Sequence, residues 1–252
     1  MKPLKIFIGY DDVEAVAYHV AAHSIFKRSS VPVSITPVYL KNLEKFYRRP
    51  RHPKQSNDFS FSRFLVPYLS DYEGFSLWMD CDVVVRCDIA ELFDMVNKED
   101  AVSVVKHQYQ PVDEIKYLDN EQTKYPMKNW SSVMLFNNEQ CDVLNPQYVS
   151  MVPGLDLHQF TWLKEGQSIG SLPIEYNWLV GEYEPNHQAK IYHYTRGTPC
   201  FWEYADCDHA DVWFEEKASM TAAAQRPCYV PNVSNWVESI DATPRQSKIS
   251  SK

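Results

Sequence analysis

The first forty residues alternate between two hydrophobic patterns, and this alternation constrains the fold more than any other feature. LKIFIGYDD (4–12) is apolar until it ends in acidic residues, as a buried strand does. VEAVAYHVAAHSIFKRSS (13–30) has apolar residues at helical spacing and a basic end that suits the helix dipole. VPVSITPVYL (31–40) again has the pattern of a strand. Strand, helix and strand in this order predict a parallel βαβ unit, whose binding sites lie at the carboxyl ends of the strands.

Composition limits the class of protein further. The chain has 252 residues, 44% of them hydrophobic, which suits one large α/β domain or two small ones. Its net charge of −8 argues against a nucleic-acid partner, because such partners require a basic surface. The N-terminus becomes charged too early for a signal peptide, and no apolar window approaches the length of a membrane span. We expect a cytoplasmic protein without a transmembrane segment, in at most peripheral contact with a membrane.

The cysteines also indicate the cytoplasm, which is a reducing compartment. They stand at positions 81, 87, 141, 200, 207 and 228, with no CxxC pair. This spacing fits neither a disulfide framework nor a zinc ribbon, so it predicts reduced thiols. A zinc site built from His193, Cys200, Cys207 and His209 is the alternative, and its irregular spacing argues against it.

The rest of the chain continues the α/β pattern. Helices are predicted over 59–72, 87–96 and 156–166, and strands over 75–80, 101–105, 130–138 and 189–197. Residues 107–126 show no clear periodicity and receive no assignment. The segment 222–252 is polar and proline-containing, and we expect it to be a partly disordered extension.

Two aspartates interrupt the apolar run FSLWMDCDVVV (75–85). In an extended strand Asp80 and Asp82 project from the same face, while Met79 and Cys81 pack on the other. Two neighbouring carboxylates repel each other unless they are protonated, solvated or shared with a cation. Mg²⁺ or Mn²⁺ would accept carboxylate oxygens and still leave positions for phosphate. The alternative is a loop in which Asp80 caps the backbone and Asp82 is solvated, and the residues alone leave both interpretations open.

Four stretches taken in order carry a family resemblance. FSLWMDCDVVV, between FSFSRFLVPYL and DIAELFD, resembles the DxD region of GT-A glycosyltransferases and is most similar to the family 8 type. IFIGYDD resembles the first strand of that family, and WSSVMLFNN resembles its NAGVMLIN strand. IYHYTRGTPCF resembles a degenerate form of its C-terminal His-x-x-Gly-x-x-Lys-Pro-Trp element.

This resemblance implies a fold and an activity. It implies a GT-A fold, with a Rossmann-like, mostly parallel central sheet flanked by helices in a single domain over residues 1–221. It implies an enzyme, a hexosyltransferase that moves a hexose from a nucleotide-diphosphate sugar, with a UDP-sugar as first choice. The acceptor would be the hydroxyl of a saccharide or glycolipid, as in polysaccharide biosynthesis. The cofactor would be Mn²⁺, with Mg²⁺ as the alternative, and the anomeric configuration would be retained.

The resemblance also assigns roles to residues. The metal ligands would be Asp80, Asp82 and His193, with Asp80 also close to the ribose or sugar. Tyr10 and Asp11 would contact the nucleoside, although Asp11 or Asp12 could instead cap the helix that follows. Arg63, Arg196 and Gly197 would lie at the diphosphate. Asp156, His158 and Gln159 are candidates for contact with the sugar, and the predicted catalytic residues are Arg63, Asp156 and Gln159.

The sequence departs from the family pattern at two places. Trp130, Ser131 and Ser132 replace the Asn-Ala-Gly of the NAGVM strand. The C-terminal lysine is missing, Gly197 stands one residue further from His193 than in the pattern, and Arg196 is the nearest cation that could replace the lysine. These departures keep open a carbohydrate- or nucleotide-sugar-binding protein with impaired catalysis.

Two other enzyme classes fit less well. A sugar-phosphate nucleotidyltransferase would need a glycine-rich loop after the first strand, where only Gly9 is present. Glycoside hydrolysis would need carboxylates further apart than Asp80 and Asp82.

Overall fold

The computed structural model describes residues 2–51, 55, 57–108 and 126–222, and the backbone of residues 115–116 and 120–121. The described strands are β1 (Leu4–Tyr10), β2 (Val33–Tyr39), β3 (Phe75–Met79), β4 (Val83–Val85), β5 (Asp100–Val105), β6 (Ile115–Lys116), β7 (Asn120–Glu121), β8 (Val133–Asn137), β9 (Ser168–Leu172), β10 (Trp178–Leu179) and β11 (Ile191–His193). The described α-helices are α1 (Ala15–Arg28), α2 (Leu40–Leu43), α3 (Val66–Leu69), α4 (Ala90–Asp94), α5 (Pro146–Met151), α6 (Gly154–His158) and α7 (Ala210–Thr221).

The central sheet has six strands in the order β2-β1-β3-β8-β5-β9. β1 pairs in parallel with both β2 and β3, and β5 pairs in parallel with β9. β8 is antiparallel to its neighbours β3 and β5. Within this sheet β8 alone is reversed, so the predicted βαβ unit and the predicted mostly parallel sheet are confirmed.

A second, three-stranded sheet has the order β10-β11-β4. β4 is antiparallel to β11, and β10 is parallel to β11. The apolar run 75–85 therefore supplies one strand to each sheet, and residues 80–82 form a bend between them. Of the two interpretations left open by the sequence, the extended strand at Asp80 and Asp82 is not found, because the chain turns there to leave the first sheet. The predicted burial of Met79 and Cys81 is confirmed.

The core lies between the sheets and the helices that cover them, α1 among them. α1 buries Ala17, Val20, Ala21 and Ile25, which recur at helical spacing along one face. β3 contributes Trp78 and Met79, both completely buried. Complete burial of a large apolar side chain contributes about 1.5–3 kcal/mol to stability, so these elements hold the end of β3 rigidly.

Helix α7 was not predicted from the sequence. Its apolar residues are adjacent in Val212-Trp213-Phe214 and do not recur at helical spacing, so the pattern is weak. The helix is held against α1 by the buried Glu216, which accepts hydrogen bonds from Arg28 at 2.7 Å and pairs with His23 Nδ1 at 2.6 Å.

The helix predicted over 59–72 is present only in part. A 3₁₀ turn covers Ser62–Leu65 and α3 follows it, with Pro67 in the first turn of α3. Proline has no N–H to donate to the carbonyl of Arg63, which disfavours one continuous, straight α-helix through this point. The helix predicted over 156–166 corresponds to α6 and ends sooner, at His158.

Three smaller predictions concern the cysteines, the absence of a membrane-spanning helix and the C-terminal extension. The five cysteines among the described residues are free thiols. No helix in the described ranges is both long enough and apolar enough to cross a membrane. The predicted C-terminal extension lies outside the described residues from position 223 onward, and so does most of the unassigned segment 107–126.

Candidate active site

Asp80, Asp82 and His193 converge at the edge where the two sheets meet. One potential ligand atom from each lies within 4.8 Å of the other two, and no other such group occurs in the described part of the chain. The zinc alternative with Cys200, Cys207 and His209 is therefore absent from those residues.

Strand pairing explains why residues so distant in sequence meet here. β11 pairs with β4 so that His193 lies opposite Val83, the residue after Asp82. The N–H of Tyr194 donates to the carbonyl of Asp82 at 2.8 Å and extends this pairing by one step. As a result His193 Nε2 lies 3.3 Å from Asp82 Oδ1, with the His193 ring buried.

Asp80 is held by a buried arginine. Arg63 Nη1 lies 2.7 Å from Asp80 Oδ1, and the indole N–H of Trp78 donates to the same oxygen at 3.1 Å. Arg63 also donates to the carbonyl of Ser131 at 2.9 Å and to that of Phe59 at 3.4 Å. The protein therefore engages one oxygen of Asp80, and the other accepts no hydrogen bond from the described residues.

The segment that carries Arg63 is positioned by a close approach to β1. Gly9 lies against the ring of Phe59, and a Cβ at Gly9 would be 2.5 Å from that ring. The guanidinium of Arg63 lies 5.6 Å from the Phe59 ring centre and 5.4 Å from that of Trp78. The guanidinium of Arg63 thus lies beside two neighbouring aromatic rings, with its charge directed at Asp80.

Several carboxylates lie close together at this edge, and burial and mutual repulsion raise the pKa values of two of them. Burial raises the pKa of Asp80, Arg63 opposes the rise, and the charge of Asp82 adds to it. Burial also raises the pKa of Glu14 well above its usual range, and the charges of Asp82, Asp11 and Asp80 reinforce this. Repulsion between clustered carboxylates is relieved by protonation or by a cation. The set of two carboxylates and one imidazole fits a divalent ion such as Mn²⁺.

The residues predicted to contact the nucleoside lie at the end of β1. Asp11 caps the following turn: its Oδ1 accepts from the N–H of Val13 at 3.1 Å, and its Oδ2 accepts from that of Asp58 at 3.0 Å. Tyr10 makes edge-on contacts with Tyr18 and Tyr39, at ring distances of 5.2 Å and 4.9 Å. Of the two predicted helix caps, Asp11 and Asp12, the structure has Asp11. Its contact with Asp58 also fixes the segment that leads to Arg63.

Arg196 and Gly197 follow β11. Arg196 Nη1 donates to the carbonyl of Gly181 at 3.2 Å, so this cation is tied to the turn after β10. Gly197 has a φ of +148°, and a Cβ there would lie 2.3 Å from the ring of Tyr204. Only glycine fits at this position, which fixes the path of the chain just beyond His193.

Helix α6 reaches the site through His158. His158 Nδ1 lies 2.7 Å from Ser131 Oγ, and the carbonyl of Ser131 accepts from Arg63. Asp156 lies close enough to Tyr148 for its charge to reinforce the rise that burial causes in the pKa of that phenol. Gln159 is half-buried at the end of α6. Of these three candidates, His158 is the one that the structure connects to Arg63.

Two buried polar residues beside the site were not assigned a role from the sequence. Asn177 lies in no predicted element, and His107 is the first residue of the unassigned segment 107–126. Asn177 is completely buried and lies 2.9 Å from His193. The sequence signal that could have found Asn177 is an amide between two aromatic residues in an apolar segment, because a buried amide needs partners.

The fold and this site define a glycosyltransferase of the GT-A class. The sequence model described as "Glycosyl transferase family 8" matches residues 6–146, more than half of the chain. The chain belongs to glycosyl transferase family 8, and the predicted family and enzyme class are confirmed.

Comparison with individual proteins gives the same fold. The chain is 45% identical over 224 residues to "Protein CDI" of Arabidopsis thaliana, covering 85% of this chain and 86% of that protein. The apo structure of the bifunctional glycosyltransferase WbbM is similar with a TM-score of 0.59 at 16% identity, over 86% of this chain and only half, 50%, of WbbM. The galactosyltransferase LgtC, solved with donor and acceptor sugar analogues, is similar with a TM-score of 0.53 at 15% identity. That match covers 86% of this chain and 96% of LgtC.

Proposed function

We propose that this glycosyltransferase moves a hexose from a nucleotide-diphosphate sugar, a UDP-sugar in the first instance, to the hydroxyl of a saccharide or glycolipid in a Mn²⁺-dependent reaction. The observation that carries the proposal is the convergence of Asp80, Asp82 and His193, within 4.8 Å of one another at the sheet edge. Membership of family 8 supports the use of a metal, and Mg²⁺ is the alternative ion. LgtC, with its donor and acceptor sugar analogues, is the precedent in fold for a two-substrate site.

The charges of the site suit a diphosphate once a cation is bound. Asp80, Asp82 and His193 would hold the ion, which would act as a Lewis acid that withdraws charge from the departing diphosphate. Arg63 balances Asp80, so with both carboxylates ionised Arg63, Asp80 and Asp82 would together carry one negative charge. A divalent ion would change this net charge to one positive charge, which would attract an anionic donor.

The chain's own groups then position the donor. Tyr10 and Asp11 lie at the end of β1, where a nucleoside would be contacted, and Asp11 has one further lone pair on each oxygen for a base or ribose donor. Arg63 would stabilise charge on the phosphates through its effect on Asp80, and Arg196 with Gly197 would border them. His158, Asp156 and Gln159 on and after α6 are the proposed contacts to the sugar.

The reaction would break the bond between the anomeric carbon and the diphosphate oxygen and form a bond to the acceptor oxygen. The acceptor proton would pass to the leaving phosphate, which yields a glycoside and a nucleoside diphosphate. Attack from the same face as the leaving group would retain the anomeric configuration. NMR of the product's anomeric proton tests this directly, and an inverted product would contradict it.

Donor turnover is the decisive test. The protein is incubated with a panel of UDP- and GDP-sugars, with Mn²⁺, Mg²⁺ or EDTA, and release of nucleoside diphosphate is measured. We expect release to need the metal and to fall at least about 100-fold, some 2.7 kcal/mol of barrier, in Asp82→Asn. Asn138→Ala changes a buried amide beside the first residue of β3, at the end of that strand opposite to Asp80, and should leave the requirement for metal unchanged. Activity unchanged in both Asp80→Asn and Asp82→Asn would refute the metal assignment.

One observation favours a second candidate, a nucleotide-sugar-binding protein with impaired turnover. The family lysine is absent, and Arg196, its nearest replacement, donates to the carbonyl of Gly181. Tight, Mn²⁺-dependent binding of a UDP-sugar without release of nucleotide would establish this candidate. A cytoplasmic location and a role in polysaccharide biosynthesis stay predictions.

A further inference from the structure

Asn177 lies at the centre of a buried hydrogen-bond network next to the proposed metal ligands. It ends the 3₁₀ turn Ile174–Asn177 that precedes β10, and it has no exposed surface. Its side chain lies 2.9 Å from His193 Nδ1, 2.9 Å from His107 Nε2 and 2.8 Å from Ser132 Oγ. These partners come from three separate parts of the chain, so the network forms only when the fold is complete.

The neighbours of Asn177 determine which way its amide points. Its Nδ2 lies 3.4 Å from the backbone carbonyl of Asn129, which can only accept. The hydroxyl of Ser132 donates to the same carbonyl at 2.7 Å and therefore accepts from Nδ2. The NH₂ group must face this side, so Oδ1 faces His193.

This orientation fixes the position of the proton on His193. An amide oxygen can only accept, so Nδ1 of His193 must carry the hydrogen. In the neutral ring the lone pair is then on Nε2, the nitrogen 3.3 Å from Asp82 Oδ1. A metal ion binds imidazole through an unprotonated nitrogen, and the partner of the other nitrogen selects which one that is.

His107 closes the network on the far side of Asn177. Its Nε2 accepts from Asn177, so its Nδ1 carries the hydrogen and donates to the hydroxyl of Tyr183 at 2.8 Å. Burial, and then the neighbouring His193, lowers the pKa of His107 to about 3. The ring is therefore neutral near pH 7, which its role as an acceptor requires.

We propose that Asn177 is a positioning residue that holds His193 in the Nδ1-protonated tautomer with Nε2 directed at the metal position, and that His107 and Ser132 hold Asn177 in turn. The inference rests on the proposed function, because it needs His193 to be a ligand. It adds a residue that touches neither metal nor substrate. Partners in this position change metal affinity by about 10- to 100-fold in other metalloproteins.

The affinity for Mn²⁺ alone tests the proposal without any substrate. Isothermal titration calorimetry is done on the wild type, Asn177→Ala, His193→Ala and the double variant, each checked for native circular dichroism. We expect Asn177→Ala to weaken binding about 10- to 100-fold, and the double variant to bind no more weakly than His193→Ala. Asn138→Ala is the matched control, since it removes an equally buried amide that donates to Ser76 Oγ at 2.8 Å and to the Glu73 carbonyl at 3.0 Å. It should lower stability and leave Mn²⁺ affinity unchanged.

The tautomer can also be observed directly in the wild type, so the test does not depend on whether a variant folds. In metal-free protein labelled with ¹⁵N-histidine, His193 should show a protonated Nδ1 and an unprotonated Nε2. The opposite tautomer, or additive effects of the two alanine substitutions, would overturn the role of Asn177. Unchanged Mn²⁺ binding in His193→Ala would instead refute the metal site of the proposed function.

Discussion

Arg63 and Asp80 form a buried ion pair, with 2.7 Å between Nη1 and Oδ1 and almost no exposed surface on either residue. Such a pair is costly to break, because the remaining charge stays buried without compensation. The pair therefore links the stability of the fold to the charge of the candidate active site. Arg63 balances Asp80 before any substrate arrives, and it also ties Ser131, two residues before β8, to the same point.

Substitution of Arg63 should destabilise the protein through Asp80. We expect Arg63→Gln to lower the free energy of unfolding by about 3–5 kcal/mol, measured by urea denaturation in EDTA. Asp80→Asn in the same background should recover part of this loss, because it removes the uncompensated charge. If the two substitutions were simply additive, the ion pair would not be the cause.

Glu14 should limit stability at neutral pH. Its folded-state pKa is raised, mainly by burial, so the stability associated with it is complete at acidic pH and is lost as the pH rises above about 4.5. Glu14→Gln removes this titration and can keep the contact with the Cys81 thiol at 3.7 Å. We expect the variant to melt at a higher temperature than the wild type at pH 7.5 in EDTA, with a smaller difference at pH 5.

A second buried glutamate provides the contrast. Burial alone would raise the pKa of Glu216, but the hydrogen bond and charge of Arg28, helped by His23, outweigh it and lower the pKa. Glu216→Gln should therefore lower the melting temperature at pH 7.5, opposite in sign to Glu14→Gln. A stabilising effect of Glu216→Gln would show that burial alone decides these signs.

His107 should make the protein sensitive to acid. Its pKa is about 3 in the folded protein and about 6.5 in the unfolded chain, so the stability it contributes is complete above pH 6.5 and is lost as the pH falls towards 3. At pH 5 the loss is about 2 kcal/mol. His107→Gln does not titrate, so its stability deficit relative to wild type should shrink by that amount between pH 7.5 and pH 5, by urea denaturation in EDTA. Tyr183→Phe keeps the ring of His107 and should keep the acid sensitivity.

Gly197 should be intolerant of any side chain. Alanine there would combine an unfavourable φ of +148° with a contact of 2.3 Å to the Tyr204 ring. Gly74 has a φ of +63° but nothing within 4 Å of a Cβ, so Gly74→Ala measures the cost of a left-handed backbone alone, about 1–2 kcal/mol, without a steric contact. Gly197→Ala should cost about 1–3 kcal/mol more than this control in thermal unfolding. Tyr204→Ala in the same chain should relieve the excess, and equal costs for the two glycines would refute the steric account.

The sequence was sufficient to predict those elements whose structure is determined by adjacent residues. The β1-α1-β2 unit follows from hydrophobic period alone, because adjacent residues decide it. Asp80 and Asp82 were found because charge is rare in an apolar run, although the pattern could not show that the chain bends there and changes sheets. His193 was found through the family resemblance, since its neighbours in sequence say nothing about what it pairs with in space.

The sequence was insufficient to predict those features that depend on pairing between distant parts of the chain. The reversal of β8 depends on strands 75–79 and 100–105 lying on either side of it, which periodicity does not encode. Asn177 and His107 acquire partners only through the fold, and their segments have no pattern of their own. Helix α7 is held largely by contacts with α1, so its own apolar pattern stays weak.

The place of β8 has a consequence for synthesis of the chain on the ribosome. β3 and β5 emerge before β8, yet they cannot pair with each other, because β8 lies between them in the finished sheet. Until residue 137 has been made, β3 offers an unpaired edge and β5 has no partner strand on either side. The nascent chain therefore exposes unpaired edges on two apolar strands over this interval, and we expect it to bind chaperones or to aggregate at this stage. Mutations that weaken β8 should reduce the yield of folded protein more than they reduce the activity of the molecules that do fold.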